Sequence, residues 1–196
     1  MSEPAGEETR SASWLWRRPR RWYLLGIPLG GALAFLVGIA FTGGFLGTLK
    51  QAETTSFCTS CHEMQAPFQE LTQSVHYSNE LGIRATCGDC HVPPTFWAGL
   101  WRHVEASTEV FGHLTGKLST PEKYEKLRPE LAQKIWTELK ANDSAECRSC
   151  HTQTAMALAK QTPIAAKRHS SEYLAKTHQT CIECHQGVAH KLPQGS

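Results

Sequence analysis

The eight cysteines of this 196-residue chain form four Cys-x-x-Cys pairs, and a histidine follows the second cysteine of every pair. Two thiols at this spacing can form thioethers with the vinyl groups of a haem, and the adjacent imidazole can bind the iron from one face. A zinc knuckle is the competing interpretation, but it does not need histidine in the next position four times out of four. The pattern therefore predicts covalent attachment of four c-type haems. The motif residues are Cys58, Cys61 and His62; Cys87, Cys90 and His91; Cys147, Cys150 and His151; and Cys181, Cys184 and His185.

The second axial ligand of each iron decides its chemistry. An iron with two protein ligands transfers one electron with little rearrangement, whereas an open position admits a substrate. His76, His169 and His190 are the better candidates because each lies close to a motif, and His178 competes with His169. The alternative for each is a surface histidine without a metal role. The histidines outside the motifs are His76, His103, His113, His169, His178 and His190.

Met64 follows His62 by two residues in the first motif. A side chain this close cannot reach the far face of the same haem unless His62 is displaced from the iron. The alternative role is the commoner one for methionine, which is to fill an apolar gap. The residues alone leave this choice open.

Composition restricts both the partners and the interior. A formal net charge of +2 gives no basis for a nucleic-acid partner or a strongly acidic one. The soluble part has few apolar side chains for its length, so we expect its interior to form largely on the porphyrins. Without haem we expect no stable fold, as in other small metal-dependent domains.

An uncharged apolar run at 22–49 separates a basic N-terminus from the haem motifs. It exceeds the about 20 residues that cross a bilayer and the roughly 7–15 residues of a signal-peptide core. The arginines before the run favour a cytoplasmic N-terminus. We therefore predict a cytoplasmic basic tail at 1–21, a single-pass anchor in the cell inner membrane at 22–49, and a periplasmic tetrahaem domain at 50–196.

The predicted periplasmic domain contains an internal duplication. His76 precedes Cys87 by 11 residues, and His169 precedes Cys181 by 12. Each half thus holds a motif, a lone histidine and a second motif, a shared spacing that is hard to obtain by chance. We predict two dihaem halves, 50–96 and 142–196, joined by a helical linker at 97–141.

The linker has helical periodicity. Apolar residues from Trp97 to Leu118 recur at intervals of three, four and seven, which predicts an amphipathic helix. On the opposite side, Arg102, Glu109 and His113 share one face. These polar residues are candidates for a site, or they simply cover a solvated helix face.

A second helix is predicted to start at Thr120, with Pro121 at its first position. We expect Pro129 to interrupt it. No stretch alternates convincingly as a strand. The predicted fold class is therefore mainly α, with one N-terminal transmembrane helix plus a haem-dominated multihaem cytochrome c domain with little or no strand.

Four segments carry a resemblance to a known family. They are C-T-S-C-H-E-M at 58–64, H-Y-S-N-x-x-G-I-R-A-T-C-G-D-C-H-V-P at 76–93, K-A-N-D-S-A-E-C-R-S-C-H at 140–151, and T-C-I-E-C-H-Q-G-V-A-H-K-L-P at 180–193. With these segments the chain resembles the NapC/NirT family of membrane-anchored tetrahaem cytochromes c. The similarity extends over nearly everything from Arg17 onward.

The resemblance implies a ligand for every iron. Met64 would bind the first iron in place of the usual His62, leaving it high-spin beside a quinol site. Exchanged ligands would join the two halves. The implied pairs are His190 with His91, His76 with His151, and His169 with His185.

The resemblance also implies a function. Family members oxidise membrane quinol, here menaquinol or ubiquinol, and pass electrons to a periplasmic reductase or redox protein. The implied partner is a periplasmic nitrate reductase. The alternatives are a nitrite or other terminal reductase, reverse action as a quinone reductase, and a different class, a terminal multihaem reductase of a small oxyanion. Membrane lipid is an implied partner as well, and a homodimer is compatible with the family.

The quinol site implied by the resemblance lies on the linker helix. The acidic residue of the family aligns with Glu109, and the basic one, commonly lysine, aligns with Arg102 or His103. The absence of lysine is a departure from the family pattern. It leaves open which group contacts the quinol oxygen.

Overall fold

The computed structural model describes residues 23–24 and 27–194. The chain divides into two compact units, residues 1–47 and residues 48–196. The predicted cytoplasmic tail at 1–21 lies outside the described residues.

A long helix, α1, spans Leu29–Ala52 and is long and apolar enough to cross a membrane. At a rise of 1.5 Å per residue, its 24 residues extend about 36 Å, which exceeds a hydrocarbon core of about 30 Å. The helix begins directly after Pro28, so its bounds differ from the predicted anchor at 22–49. The limits of the anchor stay a prediction.

The described chain is mainly helical, as predicted. Among the described residues, strand is confined to an antiparallel pair, β1 (Tyr23–Leu24) with β2 (Ile27–Pro28). The expectation of a mainly α fold with little strand is confirmed. The helices after α1 are α2 (Thr55–Cys58), α3 (Gln65–Thr72), α4 (Cys87–His91), α5 (Phe96–Leu114), α6 (Pro121–Ala141), α7 (Ala145–Cys150), α8 (Pro163–Arg168) and α9 (Ser171–Thr177).

The two long helices α5 and α6 occupy the predicted linker. Thr120 caps α6, because its side chain accepts a hydrogen bond from the Lys123 amide at 3.3 Å. The expectation that Pro129 interrupts this helix is wrong, since α6 continues through it. An internal proline costs about 3 kcal/mol. The neighbouring Arg128, anchored in a buried ion pair, holds the helix in place at this position.

On α5, Arg102 is more buried than the apolar residues of the predicted stripe. Trp97 is 77% exposed and Phe111 68%, whereas the Arg102 side chain is only 13% exposed. A surface helix normally buries its apolar stripe. Arg102 therefore does not decorate a solvated face, and its position calls for a local partner.

Protein packing alone gives the second unit a thin apolar core. Leu71 and Ile182 are the buried hydrophobic side chains among residues 29–194. More polar than apolar side chains are buried, and buried polar groups require hydrogen bonds or opposite charges. The buried polar residues are Glu63, Arg128, Ser144, Glu146 and Thr180. The expectation that haem completes the core stays a prediction.

Candidate haem sites

The first two haem motifs pack against each other. Helix α2 contacts α4, and the Thr55 hydroxyl accepts a hydrogen bond from the Cys87 amide at 3.4 Å. The Cys58 and Cys87 side chains interact, which raises the pKa of Cys58 and lowers the pKa of Cys87 to about 6. The attachment points of the first two haems therefore lie side by side.

Gly88 permits this close approach. A Cβ at this position would lie 2.6 Å from the backbone oxygen of Glu53. We therefore expect Gly88→Ala to displace α4 and to lower the free energy of unfolding of the haem-loaded protein by about 1–3 kcal/mol. The thermal unfolding midpoint measures this loss. Gly112→Ala is the matched control, because its nearest contact is 4.0 Å away, and an equal loss in both variants would contradict the argument.

The later motifs continue the series. Helix α4 contacts α7, which carries the third motif. Ser144 precedes α7 in left-handed backbone, with φ of 52°, and is fully buried. Its Oγ accepts a hydrogen bond from the Ile182 amide at 3.2 Å. Since Ile182 lies inside the fourth motif, the four motifs follow one another through the structure in chain order.

Outside the first motif, three pairs of histidine rings lie at a spacing that fits an iron. Two metal–nitrogen bonds of about 2 Å, with about 1 Å from each nitrogen to its ring centre, separate axial rings by about 6 Å. Burial lowers the pKa of His91 to about 4, which keeps it in the neutral form that binds metal. The ring centres lie 6.1 Å apart for His76 and His151, 6.1 Å for His91 and His190, and 5.8 Å for His169 and His185.

In two of the histidines outside the motifs, the ring nitrogen Nδ1 faces an oxygen acceptor. The distance is 2.6 Å from His169 to Gln161 Oε1 and 3.4 Å from His76 to the Val188 carbonyl. Metal-binding histidines commonly donate the other ring N–H in this way, which fixes the tautomer and the ring orientation. These contacts leave Nε2 of each ring available for a metal.

His178 and His103 are placed differently. His178 ends α9 in left-handed backbone, with φ of 52°, and lines an open polar cavity. The geometry thus favours His169 over His178 as the partner of His185. His103 donates from Nδ1 to the Gly99 carbonyl at 2.7 Å, within its own helix.

The first motif has its own arrangement. His62, Glu63 and Met64 form one helical turn, in which Glu63 is buried and Met64 half-buried. Glu63 Oε1 accepts a hydrogen bond from His113 Nδ1 at 2.7 Å, and Oε2 lies 3.4 Å from His62 Nδ1. The two rings lie 5.7 Å apart and tilted. The buried Glu63 carboxylate therefore hydrogen-bonds His113 beside Cys61, while its Oε2 has no hydrogen-bond partner among the described residues.

Arg102 and Glu109 form an ion pair close to the first attachment site. Arg102 Nη2 donates to Glu109 Oε1 at 2.8 Å. Glu109 is near enough to Cys58 to raise its pKa, after the larger effects of Cys87 and of burial. Arg102 Nη1 is buried and has no hydrogen-bond partner among the described residues. This nitrogen can therefore donate a hydrogen bond to a quinol oxygen or to a haem propionate.

Sequence reasoning missed two carboxylates near the haem sites. Glu63 binds His113, and Glu70 binds Arg128 through an Oε1–Nη2 contact of 2.6 Å. No local motif joins residues so far apart in the chain. The one available signal was that Glu63 lies inside the first motif segment.

A helical domain with four Cys-x-x-Cys-His motifs, following a helix long enough to cross a membrane, defines a membrane-anchored c-type cytochrome. The residues present fit haem, as the paired rings show. The chain belongs to the NapC/NirT cytochrome c family, whose N-terminal region matches residues 21–195.

Individual relatives agree with this assignment. The chain is 47% identical over 186 residues to cytochrome c-type protein NapC of Paracoccus pantotrophus, covering 92% of this chain and 77% of the relative. It is 46% identical over 179 residues to NapC of Escherichia coli K12, covering 91% and 87%. It is 43% identical over 182 residues to denitrification system component NirT of Stutzerimonas stutzeri, covering 92% and 89%. No solved structure matches the chain.

Proposed function

We propose that this chain is a membrane-anchored quinol-oxidising electron-transfer protein that holds four c-type haems and supplies a periplasmic reductase. The main support is the three pairs of histidine rings whose separation fits a shared iron. Each pair contains one motif histidine. Bound haem would supply one-electron redox chemistry, while the protein sets its position and environment. Family membership supports the same class of activity.

The proposed axial pairs are His91 with His190, His76 with His151, and His169 with His185. At the first motif we propose Met64 as the iron ligand. The support for this choice is the resemblance of the first motif segment to the family, because the Glu63 oxygen 3.4 Å from His62 Nδ1 leaves Nε2 of that ring open. The first iron would then be the one with the weakest protein ligation.

The proposed quinol site consists of Arg102 and Glu109. Oxidation of a quinol releases two protons, so the site needs a proton acceptor next to the head group. Arg102 Nη1 would donate a hydrogen bond to a quinol oxygen, and Glu109 would accept the proton. Glu109 is 53% exposed at its side chain, so the proton can pass on to water. His103 remains a secondary candidate, because its Nδ1 is already engaged by Gly99.

The proposed orientation places the haem domain in the periplasm. The arginines at 17–21 favour the cytoplasm. The partner we propose first is a periplasmic nitrate reductase, from the resemblance to NapC. The relative named as a denitrification system component makes a nitrite-reducing partner the main alternative.

Reduction of the detergent-solubilised protein by a quinol analogue tests this function. We expect the haem absorbance to change to the reduced form, and added nitrate reductase with nitrate to reoxidise it. Reoxidation by nitrite or hydroxylamine alone, without any reductase, would favour a terminal reductase instead. No reduction by either menaquinol or ubiquinol analogues would overturn the proposal.

A further inference from the structure

The loop that carries His190 has no regular secondary structure of its own. After the helical turn Cys181–Glu183, the described residues to position 194 form turns and bends. Gly187, with φ of +75°, folds this loop so closely that a Cβ there would lie 3.0 Å from the Leu192 side chain. Contacts outside the loop are needed to hold His190 opposite His91.

A buried ion pair between α3 and α6 supplies these contacts. The Arg128 and Glu70 side chains are 7% and 10% exposed, and Nη2 lies 2.6 Å from Oε1. Glu70 Oε2 accepts a hydrogen bond from the Lys191 amide at 3.1 Å, and Arg128 Nη1 donates to the Lys191 carbonyl at 3.2 Å. The pair therefore binds both backbone polar groups of the residue next to His190.

Arg128 uses all five of its N–H groups in this arrangement. Two bind the Glu70 oxygens at 2.6 and 3.0 Å, two bind Glu125 at 2.7 and 2.8 Å, and one binds the Lys191 carbonyl. The Tyr124 ring centre lies 4.8 Å from the guanidinium carbon. Lysine could not reproduce these contacts, because its donors radiate from one atom. The paired bonds from Nη1 and Nη2 to the two Glu70 oxygens fix the position of that carboxylate.

Glu70 also faces His190. Its Oε2 lies 3.7 Å from His190 Nδ1, and the His190 ring centre lies 6.1 Å from that of His91. A carboxylate behind Nδ1 favours a proton on that nitrogen and directs Nε2 toward a metal. We propose that Glu70, held by Arg128, is a positioning residue that aims His190 at the iron of the second haem motif. The inference rests on the proposed pairing of His91 with His190.

Electron paramagnetic resonance of the oxidised, full-length protein in detergent tests this role. Glu70→Gln keeps the shape of the side chain but removes its charge. We expect all haems to remain attached, as measured by the pyridine haemochrome assay, while one low-spin ferric signal is lost and a high-spin signal appears. Added imidazole should restore the low-spin signal, because it can occupy the open axial position.

Glu125→Gln is the matched control, because Glu125 hydrogen-bonds Arg128 and, among the described contacts, has no hydrogen bond to Lys191 or His190. It should leave the low-spin signals unchanged, and a loss equal to that of Glu70→Gln would overturn the specific role. His190→Ala separates the two proposals. If this variant retains every low-spin signal, the pairing itself fails. If it loses one signal while Glu70→Gln loses none, the pairing stands and the positioning role is overturned.

A second variant tests the same role if the Glu70→Gln protein does not accumulate in cells. Glu70→Asp keeps the charge but withdraws it from His190 by one methylene. We expect a shifted or weakened low-spin signal for one haem, reversed by imidazole. An unchanged spectrum in this variant would also overturn the proposal.

Discussion

A chain that receives no haem is expected to remain without stable tertiary structure over residues 53–194. Leu71 and Ile182 are the buried hydrophobic side chains of the described chain. Burial of apolar side chains is the main favourable contribution that offsets the entropy lost when a chain becomes ordered. Two such side chains cannot offset the ordering of a unit of this size. The missing stabilisation has to come from attached haem and its axial bonds.

Hydrogen exchange measures this effect on the full chain. The haem-free form is made in cells that do not attach haem, and it is compared in detergent with the haem-loaded form. Amides of α5 and α6 should be protected only when haem is attached. Helix α1 is the internal control, because its hydrogen bonds form within one apolar segment and should be protected in both forms. Strong protection of α6 in the haem-free chain would show that the protein core is sufficient by itself.

Local patterns predict the two long helices between the second and third haem motifs. The periodicity from Trp97 predicts α5, and Thr120 followed by proline predicts the start of α6. The candidates His76, His169 and His190 are the same histidines whose rings lie next to motif histidines in the structure. The helix predictions are confirmed because helix caps and periodicity are local. The ligand assignment stays a prediction, and it was possible because haem chemistry restricts the ligands to a few residue types.

Contacts between distant parts of the chain could not be predicted in this way. Glu70 and Arg128 are 58 residues apart, and Glu63 and His113 are 50 apart. No spacing rule in the sequence predicts either pair, because the contact between the two residues depends on how α3, α5 and α6 pack. The error at Pro129 has the same origin. A local rule ends the helix there, but the long-range anchor of Arg128 keeps it continuous.

Replacement of Glu109 by glutamine is expected to slow quinol-driven haem reduction by roughly 100-fold, the scale of a lost general base. Glutamine can still accept the hydrogen bond that Arg102 donates to Glu109 Oε1 at 2.8 Å. The helix and the free Nη1 donor should therefore be retained, while the proton acceptor is lost. Stopped-flow absorbance with a quinol analogue measures the rate. Reduction by dithionite should reach the same extent as in the unmodified protein, because it requires no proton acceptor at this site.

Glu105→Gln is the matched control for this experiment. Glu105 lies on the same helix and accepts a hydrogen bond from Trp101 Nε1 at 3.0 Å, whereas the ion pair of Arg102 is with Glu109. It should retain the quinol-driven rate. Equal slowing in both variants would mean that the reduction rate depends on the overall charge of the α5 surface. An unchanged rate in Glu109→Gln would remove Glu109 as the proton acceptor and leave His103 as the nearest candidate on α5. Because dithionite bypasses the quinol site, a loss confined to the quinol reaction places the defect at proton transfer and not in haem attachment.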